Sequence, residues 1–300
     1  MSIRKPLIRT LHATLIASIL ANQVIAAEGG GGDASSWVNP DLTNAVYDSK
    51  SFLVTPQAGG AHAFFITPDG TTLLVLDSGT DNIYQYTMST PGDISTASYD
   101  SVSFSITTQD LIAYGFEFNS DGTIMLLTGS YTKTIYQYSL TTPWDISTMS
   151  YANKSFLVSA EALSGYNEIR VSSDGTKLYG VDLSNDTIFQ YTMSTLWDIT
   201  TLSYASKSFV ITAETQPHGF VFNPNGDKLY LTGRYGDSIY EYNLTTPWDI
   251  STLVYSTIFF DIGPQESQPS TLHFTVDGSK MYALGDSQET IFQYSTVTPE

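Results

Sequence analysis

The 300-residue sequence predicts an all-β protein: a five-bladed β-propeller of four-stranded blades, closed by an N-terminal strand that joins the C-terminal blade. Three observations carry that reading. A unit of 51 to 53 residues recurs five times, with its markers in constant register. Each unit contains four short runs of β-branched and aromatic residues, bounded by Gly, Pro, Asn and Asp, and no helical periodicity of useful length. The N-terminal segment also supplies the part of the unit at which the C-terminal copy breaks off.

The markers fix the strands in order. An Asp-Gly or Asn-Gly turn begins at Asp69, Asp121, Asp174, Asn225 and Asp277. The run before it, such as Gly219–Phe222, is strand A, and the run after it, such as Lys228–Leu231, is strand B. Fourteen residues after the turn starts comes Ile-Tyr/Phe-Gln/Glu-Tyr, at Ile83, Ile135, Ile188, Ile239 and Ile291, which is strand C. A Thr-Pro-Trp-Asp-Ile-Ser-Thr-like segment follows at 90–96, 142–148, 195–201 and 246–252, and then strand D, such as Ser155–Val158. Four strands in about 50 residues, repeated, describe a propeller blade. Asp41–Tyr47 aligns with Asp145–Tyr151, so Lys50–Val54 is the strand D of the blade whose strands A to C are C-terminal. That splice pairs two strand edges that would otherwise invite aggregation. A linear repeat array would need capping units instead, and the sequence has none.

Over residues 38–300 the pattern D-G…L-Y…I-Y-Q-Y…T-P-W-D-I-S-T resembles the YVTN/NHL-type propeller repeats of bacterial secreted and surface proteins. The resemblance implies the fold and leaves the activity open, because such propellers host enzymes, binders and scaffolds. The chain departs from the seven-bladed lactonase-like relatives in blade number and lacks the catalytic insertions expected of a propeller enzyme.

Residues 1–27 read as a signal peptide: Arg4, Lys5 and Arg9, then an apolar stretch from Ala13 to Ala26 too short to span a bilayer, ending in small residues. Residues 28–36 are a Gly-rich linker, and 37–300 form a single propeller domain. The expectation is a secreted monomer, periplasmic, extracellular or cell-surface associated, with no membrane insertion. Thirty acidic residues against 12 basic ones, a net charge of −18, argue against nucleic acid and anionic membrane surfaces as partners. With no cysteine, disulfides, thiolate metal sites and cysteine nucleophiles are excluded.

All variation in the repeat length falls in the loop from strand D to the next strand A, so function is expected on the face carrying the D–A and B–C loops. Two rings of candidate ligand-binding residues lie there. His62, Tyr114, Asn167, His218 and Ser270 should surround the mouth of the central tunnel, and Gln57, Gln109, Glu161, Glu214 and Gln265 follow strand D. Together they suit a protein, peptide or glycan ligand; the plainer readings are a water-facing mouth and backbone hydrogen bonding. No cofactor is expected, with calcium left open: Asp77 with Asp81, Asp182 with Asp186, and Asp286 with Glu289 are oxygen-rich B–C loops, though these are also ordinary turn formers. No G-x-S-x-G, Walker or H-E-x-x-H motif is present. Glu117 and Arg170 are expected to form an inter-blade ion pair, and Trp144, Trp197 and Trp248 to pack over blade ends, with Gly92 in that place in blade 1. The functional expectation is a secreted, non-enzymatic binding or adhesion module. The alternatives are a propeller hydrolase of the lactonase or glycosidase kind, and a structural component of a surface assembly.

Overall fold

The computed structural model describes residues 37–296 except 159–160 and 163–164. The predicted signal peptide and linker lie outside the described residues. The chain enters through β1 (Val46–Leu53). Blade 1 is β2 (Ala61–Ile66), β3 (Thr72–Asp77), β4 (Asn82–Met88) and β5 (Ala97–Ser105). Blade 2 is β6 (Ala113–Phe118), β7 (Ile124–Gly129), β8 (Thr134–Leu140) and β9 (Met149–Leu157). Blade 3 is β10 (Glu168–Val171), β11 (Lys177–Asp182), β12 (Thr187–Met193) and β13 (Leu202–Val210). Blade 4 is β14 (Pro217–Phe222), β15 (Lys228–Gly233), β16 (Ser238–Leu244) and β17 (Leu253–Asp261). Blade 5 is β18 (Pro269–Phe274), β19 (Lys280–Gly285) and β20 (Thr290–Ser295), completed by β1.

Every sheet is a four-stranded antiparallel meander. The predicted splice is present: β1 pairs with β20 from Val46↔Ser295 to Leu53↔Thr290. Strand character tracks position in the blade. β3 and its counterparts are buried on both faces, so they read as apolar runs. The outermost strands alternate between exposed and half-buried residues, the period-2 signature of an edge with one wet face. Each innermost strand packs against the innermost strands of both neighbouring blades, which closes the ring β2–β6–β10–β14–β18. Five strands around one axis leave little room. A Cβ on Gly115 would lie 2.7 Å from the Asn167 carbonyl, and one on Gly219 would lie 2.6 Å from Thr271 Cα.

On the face of the Asp-Gly turns the blades share one construction. Asp93, Asp145, Asp198 and Asp249 each cap a short 3₁₀ turn by accepting the backbone N–H two residues on. Trp144, Trp197 and Trp248 pack over the glycines of their blades' turns, as expected. They adopt φ of +65°, +56° and +61°, and Gly92 takes the same conformation at +68°. Blade 5 has no Trp in this register; Trp37 fills the space, near Gly278 and edge-on to Phe274 at 6.1 Å.

Neighbouring blades are clasped here in two ways. Lys50, Lys154 and Lys207 on outer strands reach Asp93, Asp198 and Asp249 of the next blade at 2.6 to 2.9 Å. Gln137, Gln190 and Gln293 accept the backbone N–H of Ile199, Ile250 and Ile94 at 3.0 to 3.2 Å. A left-handed residue just before each Lys (Ser49, Asn153, Ser206) makes the bulge that turns the side chain toward its partner. Among the described residues no helix is long and apolar enough to cross a membrane.

Candidate functional site

The mouth ring is uneven. His62 and Tyr114, the second residues of β2 and β6, meet edge to face with ring centroids 4.6 Å apart. His62 Nδ1 lies 3.5 Å from Asp286 Oδ1. Asp286 also pairs with the Arg234 guanidinium. His218 lies close enough to feel both Arg234 and His62. Ser270 belongs instead to the wall, its Oγ donating to Leu284 O at 3.1 Å; Asn167 is buried, and its backbone N–H donates to Val181 O at 3.0 Å. Arg234 is a site residue the sequence reading missed. It and Asp286 are the residues directly after β15 and β19, where blades 1 to 3 have Ser78, Ser130 and Leu183. Opposite charges at one repeat position in adjacent blades were the available signal.

Burial sets the charge states at the mouth. It pushes the His62 imidazole down, with Arg234 acting the same way and Asp286 opposing. It pushes His218 down to about 3, reinforced by Arg234 and His62. Both histidines are therefore neutral near pH 7. Burial raises Asp286, while His62 and Arg234 pull it back. His62 Nδ1, His218 Nε2 and Asp286 Oδ1 are buried without a hydrogen-bond partner, so the cluster holds unused polar capacity. Beside it, between blades 4 and 5, lies a cleft of about 430 Å³ lined by Arg234, Tyr235, Asp237, Ser267 and Gln268.

The second predicted ring does not stay together. Gln109 and Glu161 accept hydrogen bonds from the hydroxyls of Tyr138 and Tyr191 at 3.1 and 2.9 Å. Gln57 and Gln265 are half-buried at the loop surface. Glu214 has moved inward, because the D–A loop is shortest in blade 4, and there it accepts the N–H of Gly236 at 2.9 Å. In blades 2 and 5 that place is taken by Asp110, which accepts from Thr132 N at 3.0 Å, and Glu266, which accepts from the Ser287 hydroxyl. In blades 1 and 3 it is taken from the other side, by Asp77 and Asp182 at the end of strand B. Where strand B ends in Asp, the D–A loop offers Ala58 or Ala162. Where the loop offers a carboxylate, strand B ends in Gly129, Gly233 or Gly285, whose Cβ would run into it. Each blade thus keeps one buried carboxylate that holds its B–C turn.

Two of the other acidic loop residues are occupied, Asp186 Oδ1 accepting Gln216 N and Glu289 Oε2 accepting Ala61 N, both at 2.9 Å, whereas Asp81 Oδ1 is buried without a partner. Among the described residues no group of three or more His, Asp or Glu is arranged to hold a metal ion.

Residues 41–246 match the family model described as lactonase, 7-bladed β-propeller. The chain belongs to the lactonase family of β-propellers. No curated protein sequence matches it significantly. It is similar to the structure of a functionally unknown Desulfotomaculum acetoxidans protein, at 14% identity over 75% of this chain and 62% of that one, with a TM-score of 0.46. It is similar also to a putative 6-phosphogluconolactonase of Bacteroides fragilis, at 21% identity over 67% of this chain and 55% of that one (TM-score 0.46). For a putative 6-phosphogluconolactonase of Bacteroides uniformis the values are 15%, 76% and 64% (TM-score 0.48). The chain spans less than two thirds of the length of each of these three.

This member of the lactonase family closes with five blades, and its axis is filled below the mouth. Glu168 and Thr271 meet there, Thr271 Oγ1 donating to Glu168 Oε2 at 2.8 Å. Arg170 donates to Glu168 Oε1 at 2.7 Å and to Glu117 Oε2 at 3.3 Å, so the expected inter-blade pair exists as the longer arm of a three-residue cluster. Two carboxyls sharing one guanidinium in a dry place are not both easily ionised. Burial, with Glu168 adding to it, pushes Glu117 up to about 7 despite Arg170. His273, packed against Phe65 at the same level, is pushed down to about 3 by burial and by Arg170.

Proposed function

We propose that the mouth is the active site of a hydrolase that opens small cyclic esters. The observation that carries this reading is His62 facing Asp286 beside Arg234, in a chain of the lactonase family. A neutral imidazole is the form that accepts a proton from water. With Nδ1 toward Asp286, the imidazolium formed as water attacks the ester carbonyl is stabilised by the carboxylate. The part of the Arg234 guanidinium not engaged by Asp286 stands at the cleft, where it serves the developing oxyanion. The ring C–O bond then breaks, and the alkoxide leaving group takes the proton back from His62.

The test is a pH-stat assay of the purified protein against γ- and δ-lactones. Turnover is expected with the wild type, with kcat/KM lowered at least ~100-fold in His62→Ala, on the usual scale of a lost general base. No turnover of any lactone above buffer, or full activity in both His62→Ala and Arg234→Ala, overturns the reading.

A second reading, a binding or adhesion module, is supported by blades whose length varies only on this face, and by the resemblance to YVTN/NHL-type surface repeats. On it, His62, Tyr114, Asn167, His218 and Ser270, flanked by the Gln/Glu positions, meet a protein, peptide or glycan, with calcium as an optional ligand. Glycan and peptide arrays with and without calcium test it, with Tyr114→Ala and His218→Ala expected to weaken capture about tenfold, the loss of one buried polar partner. On both readings the protein is an exported monomer that requires no cofactor.

A further inference from the structure

Both clasps that join neighbouring blades fail at the same two seams. Between blades 1 and 2, Val102 stands where Lys50, Lys154 and Lys207 stand elsewhere. There Gln85 Nε2 donates to Asp100 at 3.2 Å, and its Oε1 is buried without a partner. Between blades 4 and 5, Ile258 takes the Lys position, just after the left-handed Thr257. Glu241 replaces the Gln and pairs with Lys228 of its own blade at 2.6 Å. The seams 2–3, 3–4 and 5–1 keep both clasps. Away from the mouth, where Arg234 pairs with Asp286, what remains at the two bare seams is mostly apolar and non-directional. Phe65 packs on Phe118 and Trp144 at 5.2 and 5.4 Å, and Tyr230 on Phe274 at 4.9 Å. One Asn223–Asn39 hydrogen bond at 3.3 Å is added at the seam of blades 4 and 5.

We propose that the ring consists of two arcs, blades 5–1 and blades 2–3–4, that rock against each other and thereby open and close the mouth cluster. The division runs through the site. His62 and Asp286 ride on the first arc; Tyr114, His218 and Arg234 ride on the second. The His62–Tyr114 contact crosses one bare seam and the Arg234–Asp286 pair crosses the other. The 430 Å³ cleft lies on that second seam, between Arg234, Tyr235 and Asp237 on one side and Ser267 and Gln268 on the other. At the axis the Thr271–Glu168 hydrogen bond joins the arcs and serves as the pivot. Ion pairs and hydrogen bonds constrain orientation, whereas apolar contact tolerates sliding, so the arcs move where both repeated clasps are missing and, on the seam of blades 4 and 5, the Arg234–Asp286 pair is the contact that forms and parts with the motion. The proposal deepens the reading of the mouth as the site, yet its readout is a distance that does not depend on hydrolysis.

The absence of cysteine makes the test direct. Spin labels placed through Tyr235→Cys with Ser287→Cys report across the bare seam of blades 4 and 5. Labels through Ser184→Cys with Tyr235→Cys report across the clasped seam of blades 3 and 4, from the same loop position. Electron–electron double resonance should give a distance distribution at least twofold broader across blades 4 and 5. Installing the missing clasps, Val102→Lys with Ile258→Lys, should narrow it to the width across blades 3 and 4. Equal widths in the otherwise wild-type background overturn the proposal, and that comparison stands even where the lysine variants fail to fold. A broad distribution that persists in a folded lysine variant overturns the absent clasps as its cause.

Discussion

The two faces of this propeller solve the same packing problem differently. On the face of the Asp-Gly turns, one residue type does one task in blade after blade: Asp caps the 3₁₀ turn, Trp or Gly covers the blade end, and at three seams Lys and Gln reach the next blade. On the mouth face the task is kept and the residue changes. The buried carboxylate that holds the B–C turn comes from strand B in blades 1 and 3 and from the preceding loop in blades 2, 4 and 5. The residue after strand B is Ser, Leu, Arg or Asp. Repetition on one face frees the other to differ, and the charged cluster of His62, Arg234 and Asp286 is built from those differences.

The largest effect should come from breaking the carboxylate exchange. Gly129→Asp places a second acid against the buried Asp110 and should cost about 4 kcal/mol or more, the scale of an unpaired buried charge combined with overpacking. Adding Asp110→Ala recreates the blade 1 and blade 3 solution and should recover at least half of that loss. Chemical denaturation of the single and double variants measures this, and a double variant no more stable than the single would show that the two positions are not interchangeable.

Next comes the repeated Trp. Trp144→Ala should destabilise by about 3 kcal/mol, since the indole is stacked on Phe65 and sits on Gly122. Because the backbone there is left-handed, Trp144→Gly should cost about 0.5 to 1 kcal/mol less than Trp144→Ala, although it removes more atoms. Thermal melts of the pair decide the order.

The axis supplies a pH dependence. Glu117 is raised in the folded state, to about 7 against 4.5, so the folded protein holds a proton that the unfolded chain has released. Its contribution to stability is fully present below about pH 4.5 and is lost as pH rises through 7, an effect on the order of 3 kcal/mol. Glu117→Gln should remove that decline, so the wild type should lose stability relative to the variant between pH 5 and pH 8. Parallel pH–stability curves would expose the opposite sign.

The smallest effect belongs to a single clasp. Lys154 and Asp198 are partly solvent-exposed, so Lys154→Ala should cost at most about 1 kcal/mol and less in high salt. A larger, salt-independent loss in denaturation would mean that the pair acts as a buried one.

Blade number, strand order, the N-terminal splice and the repeated Trp were legible because identical residues recur at one register, and a period is visible without knowing any contact. The site was legible only in part. His62, Tyr114 and His218 could be placed at the mouth from their repeat position. Ser270, at the same position, turned into the wall, because what a side chain meets there depends on its surroundings in its own blade. Glu214 was misplaced by the short loop of blade 4, where counting from strand D no longer follows the space it occupies. Asp77 and Asp182 looked like cation ligands, yet they hold their own turns. Comparing them with Gly129, Gly233 and Gly285 across the repeats would have revealed the exchange with the loop carboxylates. Arg234 stood out only by differing from its counterparts.

The pairing of β1 with β20 also orders events in time. Blades 1 to 4 are each made from one continuous stretch, and their strands can zip together as soon as that stretch is available. Blade 5 must bring residues 46–53 back to residues 290–295. Closing a loop of that length costs conformational entropy that local hairpins avoid, and contacts so distant in sequence form slowly. β1 therefore waits, its edge unpaired, while the other blades assemble. Those moments carry the greatest exposure to mispairing with another chain. Among the described strands, the last to find its place is the first in the chain.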